Sequence, residues 1–379
     1  MMTSVDNDLE KELEYTWIDK IQYTKAGRFV RRHWLTLGFV FGFLTDIWLL
    51  DRVDSLFDNV ILLFYILLAF GSMICLYMGV AEKVNEKLAF YFRIFSPLLI
   101  QYSFGGLLSS VFIYYGRSGD WLVSWPLLFF FGVIMIINEL VKDKAGRLVY
   151  HLVTLFVGIF SYVVLIVPVF IGIMGPTVFV ISGILALILM LGFIKLLTLI
   201  IPRFMKLQMR LVLFSIGSVF VTFNVLYFTN IIPPIPISLQ EIGVYHMVER
   251  DSSSGTYNLL YEDRSWWQFW LTTSNRFSAS NGGALYCFTN IYAPTTIETD
   301  IQHRWEYKND SGVWVEHARI SYPIRAVGVR GYRGFTLIQN YRDGQWRCSV
   351  ETSRGQVLGR KNFIVDTSVV PVDLEFRVD

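Results

Sequence analysis

Five ionisable side chains interrupt the long apolar segments of this sequence: Asp46, Arg93, Glu139, His151 and Lys195. An ionisable group inside an apolar segment is costly to bury, so it indicates a functional site by default. The last four lie near one end of their segments, where they could form an ion or lipid-headgroup site. Snorkelling towards the nearest loop explains the same positions without a function. Asp46 lies near the opposite end, and both a cation site and a solvated acidic loop are open interpretations there.

A tryptophan-rich stretch in the C-terminal part is a candidate for ligand binding. Trp266, Trp267 and Trp270 lie close together in the chain. Such rings stack on sugar faces or settle at a membrane surface. Burial in the core of the domain, or against the apolar segments, is the structural alternative.

A turn rich in arginine and glycine is the second candidate in this part. Arg325, Arg330 and Arg333 alternate with glycines. Guanidinium groups and exposed backbone amides bind anions such as a lipid headgroup or an acidic glycan. An ordinary loop with solvated arginines is the alternative.

The three cysteines indicate at most one disulfide. Cys75 lies in an apolar segment and is expected to be a buried small hydrophobe, whereas Cys287 and Cys348 both lie in the C-terminal part and could pair in an oxidising compartment. His303 and His317 have no third ligand at a recognisable spacing, so no metal site is predicted.

Signatures of catalysis and of cofactors are absent from the sequence. It contains no Walker-type phosphate loop, no His-Glu-x-x-His helix, no Gly-x-Ser-x-Gly elbow and no Cys-x-x-Cys pair. The sequence therefore predicts no cofactor and favours a non-enzymatic protein, although sites built from single residues on separate helices leave no such signature.

Composition identifies lipid as part of the solvent of this chain. It has 379 residues, of which 54% are hydrophobic and only 17% are charged, and its mean hydropathy is +0.46. These values are too apolar for an ordinary soluble protein of this length. The net charge of +2 gives no reason to expect nucleic acid as a partner.

Seven apolar segments are each long enough, or nearly so, to cross a hydrocarbon core of about 30 Å as a helix. The first is the shortest. They are Trp34–Leu50, Phe57–Val80, Phe90–Tyr115, Trp121–Val141, Leu148–Met174, Thr177–Ile201 and Leu211–Ile231.

Lysine and arginine predict the orientation of these segments, because they resist translocation in short loops. They concentrate before the first segment and in every second loop, whereas the other loops carry only Arg52 and Arg117. The N-terminus is therefore predicted to be cytoplasmic and the C-terminal part to lie outside. No cleavable signal peptide is recognised.

The chain is predicted to divide at a proline-rich joint into four parts. These are a cytoplasmic segment (1–32), a transmembrane domain (33–231), the joint (232–237) and an all-β domain (238–379). Short apolar and β-branched runs separated by turn residues indicate antiparallel strands. In one run, alternation places Trp346, Cys348 and Val350 on one face and Arg347, Ser349 and Glu351 on the other.

Eight strands are predicted in the β domain. They are Gly255–Tyr261, Ala284–Ala293, Gln302–Tyr307, Val313–Tyr322, Gly334–Tyr341, Gln345–Thr352, Val357–Val365 and Asp373–Val378.

Successive short motifs within this domain carry a family resemblance. They are Ile291–Pro294, His303–Trp305, Gly331–Arg333, Gly344–Arg347, Gly355–Gly359 and Phe363–Val365. In this order, over about Ala284–Val365, they resemble the bacterial domain of unknown function 2914. The resemblance implies a bacterial inner-membrane protein with a periplasmic domain, and it implies no activity. The sequence departs from the family's expected glycine-glycine-arginine turn at Arg325–Arg330.

Together these features predict a membrane protein with a seven-helix transmembrane bundle followed by an extracytoplasmic, immunoglobulin-like all-β sandwich. The expected function is to present this periplasmic domain from the inner membrane so that it binds an envelope glycan, a lipid headgroup or a protein partner. A membrane-embedded enzyme or carrier for lipid-linked substrates is the alternative. The sequence predicts no oligomeric state.

Overall fold

The computed structural model describes most of the two predicted halves. It describes residues 25–50, 55–117, 144–232, 236–264, 273–279, 283–294, 299–324, 331–368 and 373–379, together with residues 125, 129, 132 and 133. The predicted span Trp121–Val141 lies almost entirely outside these ranges.

Six long helices make up the described N-terminal half. They are α1 Lys25–Leu49, α2 Leu56–Val80, α3 Glu86–Arg117, α4 Lys144–Ile171, α5 Pro176–Ile200 and α6 Pro202–Phe228. All except α1 are long and apolar enough throughout to cross a membrane, and in α1 the apolar part is Leu35–Leu49.

All six helices begin before their predicted apolar segments, and α1 and α6 do so by nine residues. The basic residues from Lys25 onward continue directly into the first apolar segment within α1. Similarly, α6 begins at Pro202 rather than Leu211, because proline at the first helical position is favourable and lysine and arginine are good helix formers. Hydropathy locates the apolar segment of a helix but does not locate the residues at which the helix begins and ends.

Glycines let α1 pack closely against α3. A Cβ atom at Gly42 would overlap the carbonyl oxygen of Tyr102, and one at Gly105 would overlap that of Phe39. Small residues at such crossings allow two backbones to approach each other in a membrane, where helix association depends on packing. The Gly38-x-x-x-Gly42 pattern of α1 faces this crossing.

The direction of each helix follows from a few contacts. Tyr114 in the last turn of α3 donates a hydrogen bond to Asp58 in the first turn of α2 (2.9 Å). The α3 and α4 helices run in the same direction, because Phe104 contacts His151 and Leu107 lies against Gly158 further along both helices. Residues 117 and 144 therefore lie at opposite ends of the bundle.

The described part of the C-terminal half forms eleven strands. They are β1 Ser238–Tyr245, β2 Met247–Arg250, β3 Tyr257–Glu262, β4 Arg276–Ser278, β5 Leu285–Tyr292, β6 Thr299–Lys308, β7 Trp314–Ile324, β8 Tyr332–Ile338, β9 Gly344–Thr352, β10 Val357–Asp366 and β11 Leu374–Val378. The eight predicted strands correspond to β3 and β5–β11. The sequence did not reveal β1, β2 and β4, because β1 lacks alternation and the other two have only four and three residues.

Three sheets organise these strands, with the orders β1-β5-β8, β4-β10-β9-β6-β7 and β11-β3-β2. The first two pack face to face, and the third packs on β5 through Tyr245, Leu259 and Phe288. The domain is thus a β-sandwich with an added small sheet.

A disulfide lies at the centre of the sandwich. Cys287 of β5 and Cys348 of β9 are bonded across the two sheets. Trp305 lies on the neighbouring strand β6, where it is paired with Cys348 of β9. It is fully buried in the same hydrophobic cluster. A buried tryptophan next to an inter-sheet disulfide is typical of immunoglobulin domains.

We predict that Gly42→Ala weakens the crossing of α1 and α3. The added methyl group meets backbone atoms that cannot move independently, so the free energy of unfolding should fall by about 1–3 kcal/mol. Thermal unfolding of the detergent-solubilised protein measures this effect. Gly71→Ala in α2 is the matched control, because its Cβ atom meets nothing within 4 Å. Equal stability of the two variants would contradict close packing at Gly42.

Candidate binding site between the helices and the β domain

The turn between β9 and β10 connects the sandwich to the helices. It runs from Thr352 to Gln356 and closes through hydrogen bonds from the Gly355 amide to the Thr352 carbonyl (2.8 Å) and from the Thr352 amide to the Gln356 carbonyl (2.9 Å). Gly355 has φ +79°, a conformation that glycine adopts without strain. The tight turn projects its side chains towards the end of α6.

Two hydrogen bonds join this turn to the segment after α6. The side-chain amide of Gln356 donates a hydrogen bond from Nε2 to the Ile232 carbonyl (3.1 Å), and the side-chain amide of Asn230 donates one from Nδ2 to the Arg354 carbonyl (3.3 Å). The Arg354 guanidinium carbon lies 4.5 Å from the centre of the Tyr227 ring, near the end of α6. This cation–π contact fixes the side chain against the helix.

A cavity of about 90 Å³ lies between the turn and the helices. This volume is well above the roughly 10–15 Å³ that one water molecule needs. Apolar residues of the helices, such as Val164, Pro168 and Phe179, form one wall, and the other wall carries Thr352, Ser353, Arg354 and Gln356. The cavity therefore has one apolar wall and one polar wall.

Two polar atoms at this junction are buried without a hydrogen-bond partner among the described residues. They are Nη1 of Arg354 and Oδ1 of Asn230. Leaving a charged donor without an acceptor costs free energy. An acceptor on a bound molecule would satisfy the guanidinium nitrogen.

The predicted arginine-glycine turn is connected to the same end of the sandwich. Ile324, the described residue that precedes this turn, is buried in a hydrophobic cluster of the sandwich. Met174 packs against that cluster and also lines the cavity. Arg333 forms an ion pair with Asp379 (2.9 Å). Arg325 and Arg330 lie outside the described residues.

The described residue that follows the predicted tryptophan cluster lies away from the helices. Trp266, Trp267 and Trp270 lie outside the described residues, but the segment that contains them ends at Thr273, whose carbonyl accepts a hydrogen bond from Lys361 (2.7 Å). Lys361 is four residues along β10 from Val357, or roughly 13 Å from the junction. One flank of the tryptophan segment therefore lies in the middle of the sandwich.

The structure describes four of the five ionisable residues predicted within the apolar segments. Asp46 is fully buried and accepts hydrogen bonds from Tyr65 (2.7 Å) and Ser109 (2.6 Å). His151 is buried towards the opposite end, where its Nδ1 lies 3.2 Å from the hydroxyl of Tyr77. Arg93 and Lys195 are exposed on the surface of the bundle. Glu139 lies outside the described residues.

Cys287, His303 and Cys348 bring potential metal-ligating atoms within 4.8 Å of one another. With the sulfurs bonded to each other, neither thiolate is available to a metal ion. Burial lowers the pKa of His303 to about 3, so its ring is neutral and bonds instead to Thr336 (2.9 Å) and Tyr322 (2.9 Å). His317 lies elsewhere, against Trp346. This arrangement is a structural polar core.

The junction was missed by sequence reasoning. Arg354 and Tyr227 are far apart in the sequence, and neither has a motif around it that indicates binding. The available signal was the turn glycine Gly355 together with polar neighbours, directly after a strand that the alternation pattern identified.

Comparisons with known proteins address the β domain only. Residues 298–365 match the model of a family described as Protein of unknown function (DUF2914). No curated protein matches the chain. The crystal structure of an immunoglobulin-like protein from Pseudomonas aeruginosa is similar at 16% sequence identity, over 35% of this chain and 92% of that chain, with a TM-score of 0.20. The segment from β6 to β10, which includes Arg354, is therefore similar to a family of unknown function.

Proposed function

We propose that this protein crosses the bacterial inner membrane seven times and holds its β domain in the periplasm, where the membrane-facing end of the domain binds an acidic component of the envelope. The buried, unpartnered Nη1 atom of Arg354 at the cavity is the observation that carries the proposal. A guanidinium group held in position at the interface between membrane and water favours an anionic ligand.

The directions of the helices support seven crossings. Residues 117 and 144 lie at opposite ends of the bundle, so the intervening chain has to return from one end to the other. It includes the predicted span Trp121–Val141 and is long enough, since about 20 helical residues cross a bilayer. An odd number of crossings then separates the N-terminus from the β domain.

The distribution of basic residues supports the orientation. Lys83, Lys87, Arg203 and Lys206 are at the end of the bundle away from the β domain, close to where Lys83 approaches the carbonyl oxygen of Leu199 (3.5 Å). Basic residues favour the cytoplasmic side. The β domain is then periplasmic, and its disulfide suits an oxidising compartment.

Cysteine labelling tests this location. We predict that the denatured, unreduced protein from cells reacts with a maleimide only at Cys75, and that prior reduction adds Cys287 and Cys348, because the latter two are bonded. Mass spectrometry counts the labels. A Cys75→Ser variant should take no label before reduction, and three labels without reduction would contradict a periplasmic domain.

Binding to acidic surfaces tests the function. Full-length protein in nanodiscs of neutral lipid should be retained on phosphatidylglycerol vesicles, and Arg325→Gln/Arg330→Gln should bind roughly thirtyfold more weakly, since each basic residue near an anionic membrane contributes about 1 kcal/mol. Co-sedimentation measures retention on these vesicles and on purified peptidoglycan.

A triple Trp266→Ala/Trp267→Ala/Trp270→Ala variant is the matched comparison. We expect it to bind the vesicles as the wild type does. Loss of peptidoglycan retention in this variant alone would instead identify the tryptophans as a glycan site. If the wild type binds neither surface, the proposed function is wrong.

The buried carboxylate of Asp46 favours a second candidate, a membrane-embedded enzyme or carrier. Asp46 has no exposed surface and lies among hydroxyl groups of α2 and α3. An ionisable group in this position is typical of proton or ion pathways. The same hydrogen bonds also describe a purely structural contact among three helices.

Replacing Asp46 by asparagine separates the two candidates. We expect Asp46→Asn to retain the fold, because the amide keeps an acceptor for Tyr65 and offers a donor to Ser109, and to restore envelope integrity in a deletion strain. Detergent sensitivity of the complemented strain and thermal stability of the purified variant are the measurements. A stable variant that does not restore integrity would favour the enzyme or carrier.

A further inference from the structure

The geometry points to a specific ligand class for the junction cavity: the phosphate of one anionic membrane phospholipid. This inference deepens the proposed function and rests on it, because that function locates the cavity at the outer surface of the membrane. In the bound state, the phosphate lies at Arg354 and the lipid chains lie along the apolar wall of α4 and α5.

The charge of Arg354 is available to a ligand. Arg354 is the one charged residue among the described residues that line the cavity. Its guanidinium group contacts the ring and the hydroxyl group of Tyr227, and its Nη1 atom is buried with no hydrogen-bond partner among the described residues. The nearby carboxylate of Glu351 is already engaged by Arg304 (2.6 Å). The guanidinium group is planar and binds phosphate oxygens through parallel hydrogen bonds.

The Tyr227 ring holds this guanidinium in position. Its centre is 4.5 Å from the guanidinium carbon, so binding a ligand does not require the whole side chain to be ordered first. Hydroxyl groups of Thr352 and Ser353 line the same wall and can donate further hydrogen bonds to phosphate oxygens. The polar wall therefore suits a compact anion.

The opposite wall distinguishes a lipid from a free anion. Val164, Pro168 and Phe179 present apolar surface to the cavity, and this surface adds nothing to the binding of inorganic phosphate. Close by, Phe170 at the end of α4 is 82% exposed and Phe228 at the end of α6 is 54% exposed. Exposed rings at helix ends are typical of the boundary between acyl chains and headgroups.

Native mass spectrometry of the full-length protein in non-ionic detergent provides the test. The wild type is titrated with phosphatidylglycerol, with diacylglycerol, which lacks phosphate, and with inorganic phosphate. We expect one phosphatidylglycerol to bind, diacylglycerol to bind at least about tenfold more weakly, and millimolar inorganic phosphate to leave the bound lipid in place.

Two variants address the cavity and one serves as a control. Arg354→Gln removes the charge and should weaken phosphatidylglycerol binding about 10- to 100-fold. Ser353→Trp fills the cavity from an exposed position and retains Arg354. It should weaken phosphatidylglycerol binding to a similar extent. This variant tests the cavity if Arg354→Gln does not fold. Arg276→Gln, an exposed arginine of β4, should bind as the wild type does.

The outcomes separate this inference from the proposed function. Unchanged lipid binding in folded Arg354→Gln and Ser353→Trp overturns the inference, as does displacement of the lipid by inorganic phosphate. If either of these results is found but vesicle binding still depends on Arg325 and Arg330, the proposed function stands and only the lipid site at the junction is rejected. Absence of binding to any acidic lipid in the wild type overturns this inference, and absence of binding to both acidic lipid and peptidoglycan overturns the proposed function as well.

Discussion

Two hydrogen bonds, from the Gln356 side chain to the Ile232 carbonyl and from the Asn230 side chain to the Arg354 carbonyl, connect the apolar helical bundle to the β-sandwich. The last carbonyl groups of α6 accept hydrogen bonds from Thr229, Asn230 and Ile231 just beyond the end of the helix, so the β9–β10 turn bonds to the segment that follows α6. The β9–β10 turn supplies polar side chains that can enter the boundary because Gly355 permits a tight reversal. The position of Arg354 over Tyr227 depends on this connection, and so does the cavity beside it.

Two buried carboxylates within the bundle, Asp46 and Asp58, are paired with hydroxyl groups of neighbouring helices. Asp46 joins α1, α2 and α3 through the hydroxyl groups of Tyr65 and Ser109, and Thr45 donates to the Gly42 carbonyl in the turn before it (2.7 Å). These two hydroxyl donors satisfy one lone pair on each oxygen of the buried carboxylate. Gly42 contributes to the same region by bringing α1 near enough to α3 for these bonds to form. Close packing and polar pairing therefore support each other.

The sequence was sufficient for elements whose pattern is local. Apolar length identified five membrane-compatible helices, and alternation identified Trp346, Cys348 and Val350 as buried. Alternation was less informative for the opposite face of β9. Ser349 and Glu351 point away from the core but are almost fully buried, and Arg304, which pairs with Ser349 across the strands, forms an ion pair with Glu351. Burial on that face depends on cross-strand neighbours, which a single-strand pattern does not contain.

The junction could not be predicted because it depends on the relative position of two separately folded parts. Arg354 in isolation is an arginine in a hairpin turn, and Tyr227 in isolation is an aromatic anchor at a helix end. Their contact places one guanidinium nitrogen of the half-buried Arg354 out of contact with water. A cation–π contact contributes about 0.5–2 kcal/mol, whereas the cost of desolvating a cation is several kcal/mol. The remaining cost is offset most directly by an anion, which is why an unpaired guanidinium nitrogen at this position indicates a ligand more strongly than the same atom in a solvated loop.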